Sequence, residues 1–164
     1  MKRIIIWMLF VCLACGADLF AVVVHHTTTN AASFNFVAGT PDYSNDGMVA
    51  GASFPTPATG IANVALPNAS VVKAFTVCGR DFANDQEFAG ALKRKTIDPA
   101  NSAFTSPEVI SQVHSGLTSS SDSMQCLNGT IDPTKAKIDN TKWTYFAEIT
   151  IGNTTELIAV KIDY

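Results

Sequence analysis

Few residues in this chain are of the types that do chemistry, and their spacing narrows the choice further. The three histidines are His25, His26 and His114. His25 and His26 are adjacent, so in an extended segment they point to opposite faces and cannot share one metal. His114 stands alone, with Asp122 and Asp139 as the acids that could orient it against a nucleophile. There is no G-x-S-x-G elbow, no H-E-x-x-H and no phosphate loop, so catalytic residues are expected to be absent. Asp42-x-Ser44-x-Asp46-Gly47 imitates the first half of a calcium loop, in which alternate residues of a tight turn turn oxygens toward a hard cation. Ser53 stands where the closing bidentate Glu belongs. A calcium site at Asp42, Ser44 and Asp46 would therefore need a distant carboxylate such as Asp81, Asp85 or Glu87. The same residue types serve ordinary turns, and no cofactor is expected.

The cysteines carry a firmer reading. Lys2 and Arg3 precede the apolar run Ile4 to Ala14 and the small residues Cys15-Gly16-Ala17, the pattern of a secretory signal peptide. The run is shorter than the about 20 residues that span a bilayer, so no transmembrane segment is expected. Residues 1–17 are assigned to the signal, with cleavage between 16 and 21. The alternative is a lipid-anchored N-terminus at Cys15, after Ala14. Either way the protein is expected to be secreted, periplasmic or on the cell surface. Cys78 and Cys126 then remain as an even pair in an oxidising compartment, and a disulfide between them is expected over two free thiols.

Charge excludes other functions. The formal net charge is −3 and grows more negative once Lys2 and Arg3 are removed. Lys93-Arg94-Lys95 is the largest basic cluster and reads as a solvated strand face. Nucleic-acid binding, which needs clustered positive charge, is not expected.

The elements that must position these residues are strands. From Trp143 to Ile151, Trp143, Tyr145, Ala147, Ile149 and Ile151 alternate with Thr144, Phe146, Glu148 and Thr150. Ile158, Val160, Ile162 and Tyr164 alternate with Ala159, Lys161 and Asp163. Period two over such lengths predicts half-buried antiparallel strands, and Gly152 to Thr155 reads as the loop of a C-terminal hairpin. Val71 to Gly79, Phe88 to Ile97, Glu108 to His114 and Met124 to Leu127 are further strands, with Leu117 to Ser123 as a polar loop. No segment shows a long 3.6-residue period. The fold class predicted is all-β, an antiparallel two-sheet β-sandwich of jelly-roll type. Residues 18–36 form an N-terminal arm, mobile at His25 to Asn30, leading into a first strand; residues 37–164 form the sandwich domain.

Tyr43 to Gly47 (YSNDG), Ala62 to Val77 (ANVALPNASVVKAFTV), Ile138 to Ile151 (IDNTKWTYFAEITI) and Glu156 to Tyr164 (ELIAVKIDY) resemble landmarks of small exported, largely uncharacterised bacterial β-sandwich proteins. The resemblance implies fold and export and carries no activity.

Three function classes follow. The first is an exported, non-catalytic surface or envelope protein acting through protein contacts or self-association. The second is a carbohydrate-binding module, for which exposed flat rings are needed. Trp143 and Tyr145 are expected to face the core, leaving Tyr43, Phe82, Phe104 and Phe146 as candidates. The third is a secreted hydrolase. Asn68, Asn128 and Asn153 each head a glycosylation sequon.

Overall fold

The structure, a computed structural model, describes residues 24–36, 43–45, 50–52, 57–82, 87–98, 105–116, 121–152 and 154–164, with the backbone alone at 43–45, 50–52, 121 and 122. Eleven strands lie among them: β1 (His26–Asn30), β2 (Asn35–Phe36), β3 (Tyr43–Asn45), β4 (Ala50–Ala52), β5 (Ala58–Asn63), β6 (Ala74–Asp81), β7 (Phe88–Thr96), β8 (Glu108–His114), β9 (Ser121–Ile131), β10 (Trp143–Ile151) and β11 (Thr155–Asp163). The hydrogen-bonded order is β2-β5-β10-β7-β8-β9-β6-β11-β4-β3, with β1 also on β11. Every pairing is antiparallel.

The all-β, antiparallel expectation holds, with the strands in one continuous hydrogen-bonded order whose two halves are not separate sheets. Strand β9 joins them. It pairs with β6 as far as Gly129 and with β8 through Thr130 and Ile131. A Cβ on Gly129 would lie 2.4 Å from Ser111 Oγ and 2.6 Å from the Gln112 carbonyl oxygen. Only glycine permits that approach where the strand passes from one half to the other. The polar stretch Ser121 to Ser123, expected in a loop, is the start of this strand.

The halves pack face to face through the inward parity of their strands. Phe75 and Val77 of β6, Phe88 and Leu92 of β7, Ile149 and Ile151 of β10, and Val160 and Ile162 of β11 are buried in one cluster. A Cβ on Gly90 of β7 would sit 2.6 Å from Val77 across the core and 2.8 Å from Ile149 on the neighbouring strand. Close packing of this kind makes truncation of its large members costly.

The C-terminal hairpin is a correction. The strands lie where the alternation put them, but β10 pairs with β5 and β7, while β11 pairs with β6, β4 and β1. The chain crosses from one half to the other between β10 and β11. A Gly-Asn-Thr turn reverses the chain equally well within a sheet or between facing sheets, so its composition does not fix the pairing. A second correction follows from a register shift between Leu157 and Ala159. One extra residue reverses the parity of a strand, so Leu157 is buried and Ile158 is only half-buried.

The segment expected to be a mobile arm at His25 to Asn30 is ordered over β1, which pairs with β11 from His26↔Asp163 to Asn30↔Ala159. A 3-10 turn at Ala31–Ser33 buries Ala31, and Phe34 follows it into the core. Strand β2 then joins β5 in the other half.

Candidate functional site

The best-built cluster of ring and polar side chains lies at the end of the sandwich where β10 begins. Trp143 has the inward parity of Tyr145 and Ala147 but stands at the first position of its strand, opposite Thr96. It is half-buried, packed against the core on one side and open on another. On β7, parity carries Phe88, Gly90 and Leu92 inward, and Arg94 continues that face. Its guanidinium carbon lies 4.3 Å from the centre of the Trp143 ring, a cation–π contact. Arg94 donates from Nε (2.9 Å) and Nη2 (2.7 Å) to Glu108 Oε2, and from Nη1 to the Lys135 carbonyl (3.5 Å). The basic run 93–95 is therefore not one solvated face. Lys93 pairs outward with Glu148, while Arg94, whose side chain is 13% exposed, is tied inside.

Two loops frame the ring and are laced together. Ala69 N and Ile138 N donate to the carbonyls of Ile138 and Ser70, at 2.9 and 2.8 Å. Asn140 N donates to Asn68 Oδ1 and Asn140 Nδ2 to the Leu66 carbonyl, both 2.9 Å. The Tyr145 hydroxyl accepts from Asp139 N at 2.8 Å, and Trp143 N donates to the Asp139 carbonyl at 3.0 Å. The turn Pro67 to Ser70 puts Ala69 at φ +66°, a conformation usually left to glycine. Hydrogen bonding of this density holds the two loops in one arrangement.

Asp139 is held ionised. The Thr141 hydroxyl and amide both donate to Oδ1, and Lys142 and Lys137 act through space, so the carboxyl stays below its ordinary value. Two open depressions flank Trp143. One, about 550 Å³, is lined by Asn68, Arg94, Lys137, Asp139 and Lys142 among others. The other, about 440 Å³, runs along Asn63 to Leu66, Asn140 and Thr144. A hollow of about 750 Å³ follows Val109 to His114 and Asn128 to Pro133 but has no Trp, Tyr or Phe in its lining. Tyr164 and His25 stack on each other beside a further depression.

The remaining sequence candidates are dispersed. Cys78 and Cys126 are directly opposite on β6 and β9 and form a disulfide. His114 Nδ1 lies 3.3 Å from Glu87 Oε1, so Glu87, and not Asp139, is its acidic partner among the described side chains. Asp81 is buried and accepts from Ser115 Oγ at 2.6 Å. Asp81 and Glu87 are thus engaged elsewhere in the fold. Asp42, Asp46, Asp85 and Phe104 lie outside the described residues, as do Asn153, Cys15 and the whole signal segment. Ser44 and Tyr43 fall in β3, described by backbone alone. Among the described residues no group of three His, Cys, Asp or Glu could hold a metal, and no helix is long and apolar enough to cross a membrane. Of the ring candidates, Phe82 is exposed and Phe146 half-buried on the outer face of β10. Asn68 contributes to the site, and Asn128 Oδ1 accepts from Thr76. Trp143, expected to face the core, packs against it but is only half-buried at the first residue of its strand.

No family model and no curated protein matches the chain. Three solved structures resemble it in part. An Arthrobacter globiformis isomalto-dextranase complexed with panose aligns at 16% identity and TM-score 0.45, over 84% of this chain and 23% of that one. A low-affinity xylan-binding module from Roseburia intestinalis (CBM86) aligns at 16% identity and TM-score 0.41, over 84% and 94%. A carbohydrate-binding module of the β-sandwich superfamily aligns at 12% identity and TM-score 0.37, over 85% and 54%. The chain thus spans about a quarter of the first of these proteins and about half of the third. At this level of likeness none of their activities transfers to it.

Proposed function

We propose that this chain is an exported, non-catalytic carbohydrate-binding domain with Trp143 as its stacking platform. The observation that carries the reading is a half-exposed indole between two open depressions, its border lined by the amides of Asn68 and Asn140 and the carboxylate of Asp139. Sugar rings offer flat C–H faces to indole and hydroxyls to amides and carboxylates, and such sites combine apolar surface with a few fixed polar groups. Arg94 covers part of the ring and the core takes another side, so a sugar would take the ring surface that borders the two depressions. Asp139, held ionised by Thr141, suits accepting a hydroxyl hydrogen bond from a sugar. The strand order, β5-β10-β7-β8 facing β9-β6-β11-β4, supports a jelly-roll reading. Export is supported by the signal-like N-terminus and the disulfide, and kinship with small exported bacterial β-sandwich proteins rests on the motif resemblance.

Protein contacts or self-association, the first expectation from sequence, has less footing. Among the described residues the exposed large apolar side chains Val24, Val71, Phe82, Ile97 and Met124 sit on five separate segments of the chain, and single exposed apolar residues are normal on a surface. A glycan array on the mature protein, followed by titration of array hits against Asn140→Ala, tests the saccharide reading. Binding that weakens in the variant supports it; an array without a hit removes it.

A further inference from the structure

We infer that the saccharide taken at Trp143 is anionic, carrying a carboxylate or a sulfate ester. This rests on the saccharide reading above and narrows it. The depression that Trp143 shares with Asn68 is lined by three cations, Arg94, Lys137 and Lys142, and by one acid, Asp139. The charges are not equally committed. Arg94 is neutralised by Glu108 through two donors. Lys142 reaches Asp139 only at 3.8 Å, and its side chain is 73% exposed. Lys137 is exposed and makes no ion pair among the described residues, though it acts on Asp139 through space. The depression therefore keeps positive charge in excess, in a protein whose formal net charge is −3.

Placement matters as much as count. Lys137 forms an isolated bridge with Val71, and Ile138 N bonds the Ser70 carbonyl. Its backbone is thereby fixed beside the ring, and only the side chain has to order when a ligand arrives. A neutral sugar would leave this ammonium group with water, its resting state, and gain nothing from it. An anionic group beside a stacked ring gains a charge-assisted hydrogen bond.

The test uses matched ligands that differ only in charge, read by intrinsic Trp fluorescence of the mature protein. Oligogalacturonate is compared with its fully methyl-esterified form, and dextran sulfate with dextran. At low salt, the anionic member of at least one pair is expected to bind about threefold to tenfold tighter, with the advantage shrinking toward one at about 0.5 M salt. Which pair shows it separates carboxylate from sulfate. Lys137→Glu is expected to abolish the advantage while leaving the melting temperature unchanged. Lys161→Glu, the same charge change on β11, is expected to keep it. Neutral members binding as tightly as anionic ones, or a Lys137→Glu protein that keeps the preference, would overturn the inference and leave saccharide binding standing. No response to any saccharide, in these pairs or on the array, would remove both.

Discussion

The Arg94 guanidinium lies 4.3 Å from the centre of the Trp143 ring and is held there by Glu108. The contact joins β7 to the start of β10, where the inward parity of both strands runs out of the core. It fixes the indole plane and covers part of the ring. The rest of the site, Asn68, Asp139 and Asn140, comes from loops that depend on this end being closed.

Core parity sets the pattern of mutational cost. Ile149→Ala and Leu157→Ala are each expected to cost about 2–5 kcal/mol, because both side chains are fully buried and leave a cavity. Thr150→Ala, on the outer face, should stay within about 0.5 kcal/mol. Ile158→Ala should cost clearly less than Leu157→Ala, since the bulge turns Ile158 off the core face. Urea denaturation at matched slope measures all four. Equal costs at Leu157 and Ile158 would refute the bulge.

The Cys78–Cys126 bridge closes a separation of 48 residues. In the chain-entropy model such a link stabilises by up to about 4 kcal/mol. Reduction should lower the melting temperature with the native fold retained at 25 °C, and alkylation of unreduced protein should find no thiol at either position. Two alkylated thiols would show the bridge unformed.

Ala69 carries a backbone strain that a single change can relieve. At φ +66° a Cβ is unfavourable, and Ala69→Gly is expected to stabilise by up to about 1 kcal/mol, offset in part by the greater entropy of an unfolded glycine. Thermal denaturation checks the sign. A loss larger than about 1 kcal/mol would show that the methyl group packs rather than strains.

Acid should act through Asp132. The Thr134 hydroxyl, then Lys135, pull its carboxyl from 3.8 down to about 2. A folded pKa below the unfolded one adds stability that is present at neutral pH and lost as pH falls from about 4 toward 2. The stability gap between wild type and Asp132→Asn should therefore narrow across that window. A gap unchanged from pH 7 to pH 2 would mean that the ionised form is not the one stabilised.

The strands of this fold were legible because period two is strong in β10, where Trp143, Tyr145, Ala147, Ile149 and Ile151 alternate with Thr144, Phe146, Glu148 and Thr150. Pairing was not. Gly152 to Thr155 reverses the chain without showing whether the next strand lies beside or across, and that choice depends on β5, β7 and β6 competing for the same edges. The bulge in β11 was hidden for a related reason: Leu157, Ile158 and Ala159 are all apolar, so either parity satisfies the pattern. The cysteine pair was legible because parity and compartment left one partner for each. The site was the least visible part, since Asn68 and Asn140 are 72 residues apart and meet only through loop packing. Arg94 could have been found from parity, being two residues beyond Leu92 on an inward face.

The most direct test of the saccharide site is a titration of the mature protein with oligosaccharides, anionic and neutral, followed by Trp143 fluorescence. The chain has two tryptophans, and Trp7 belongs to the expected signal segment, so the emission reports this ring alone. A saturable change that Asn140→Ala weakens, in a variant still folded at 25 °C, is expected. A folded, disulfide-bonded protein whose emission no saccharide alters would contradict it.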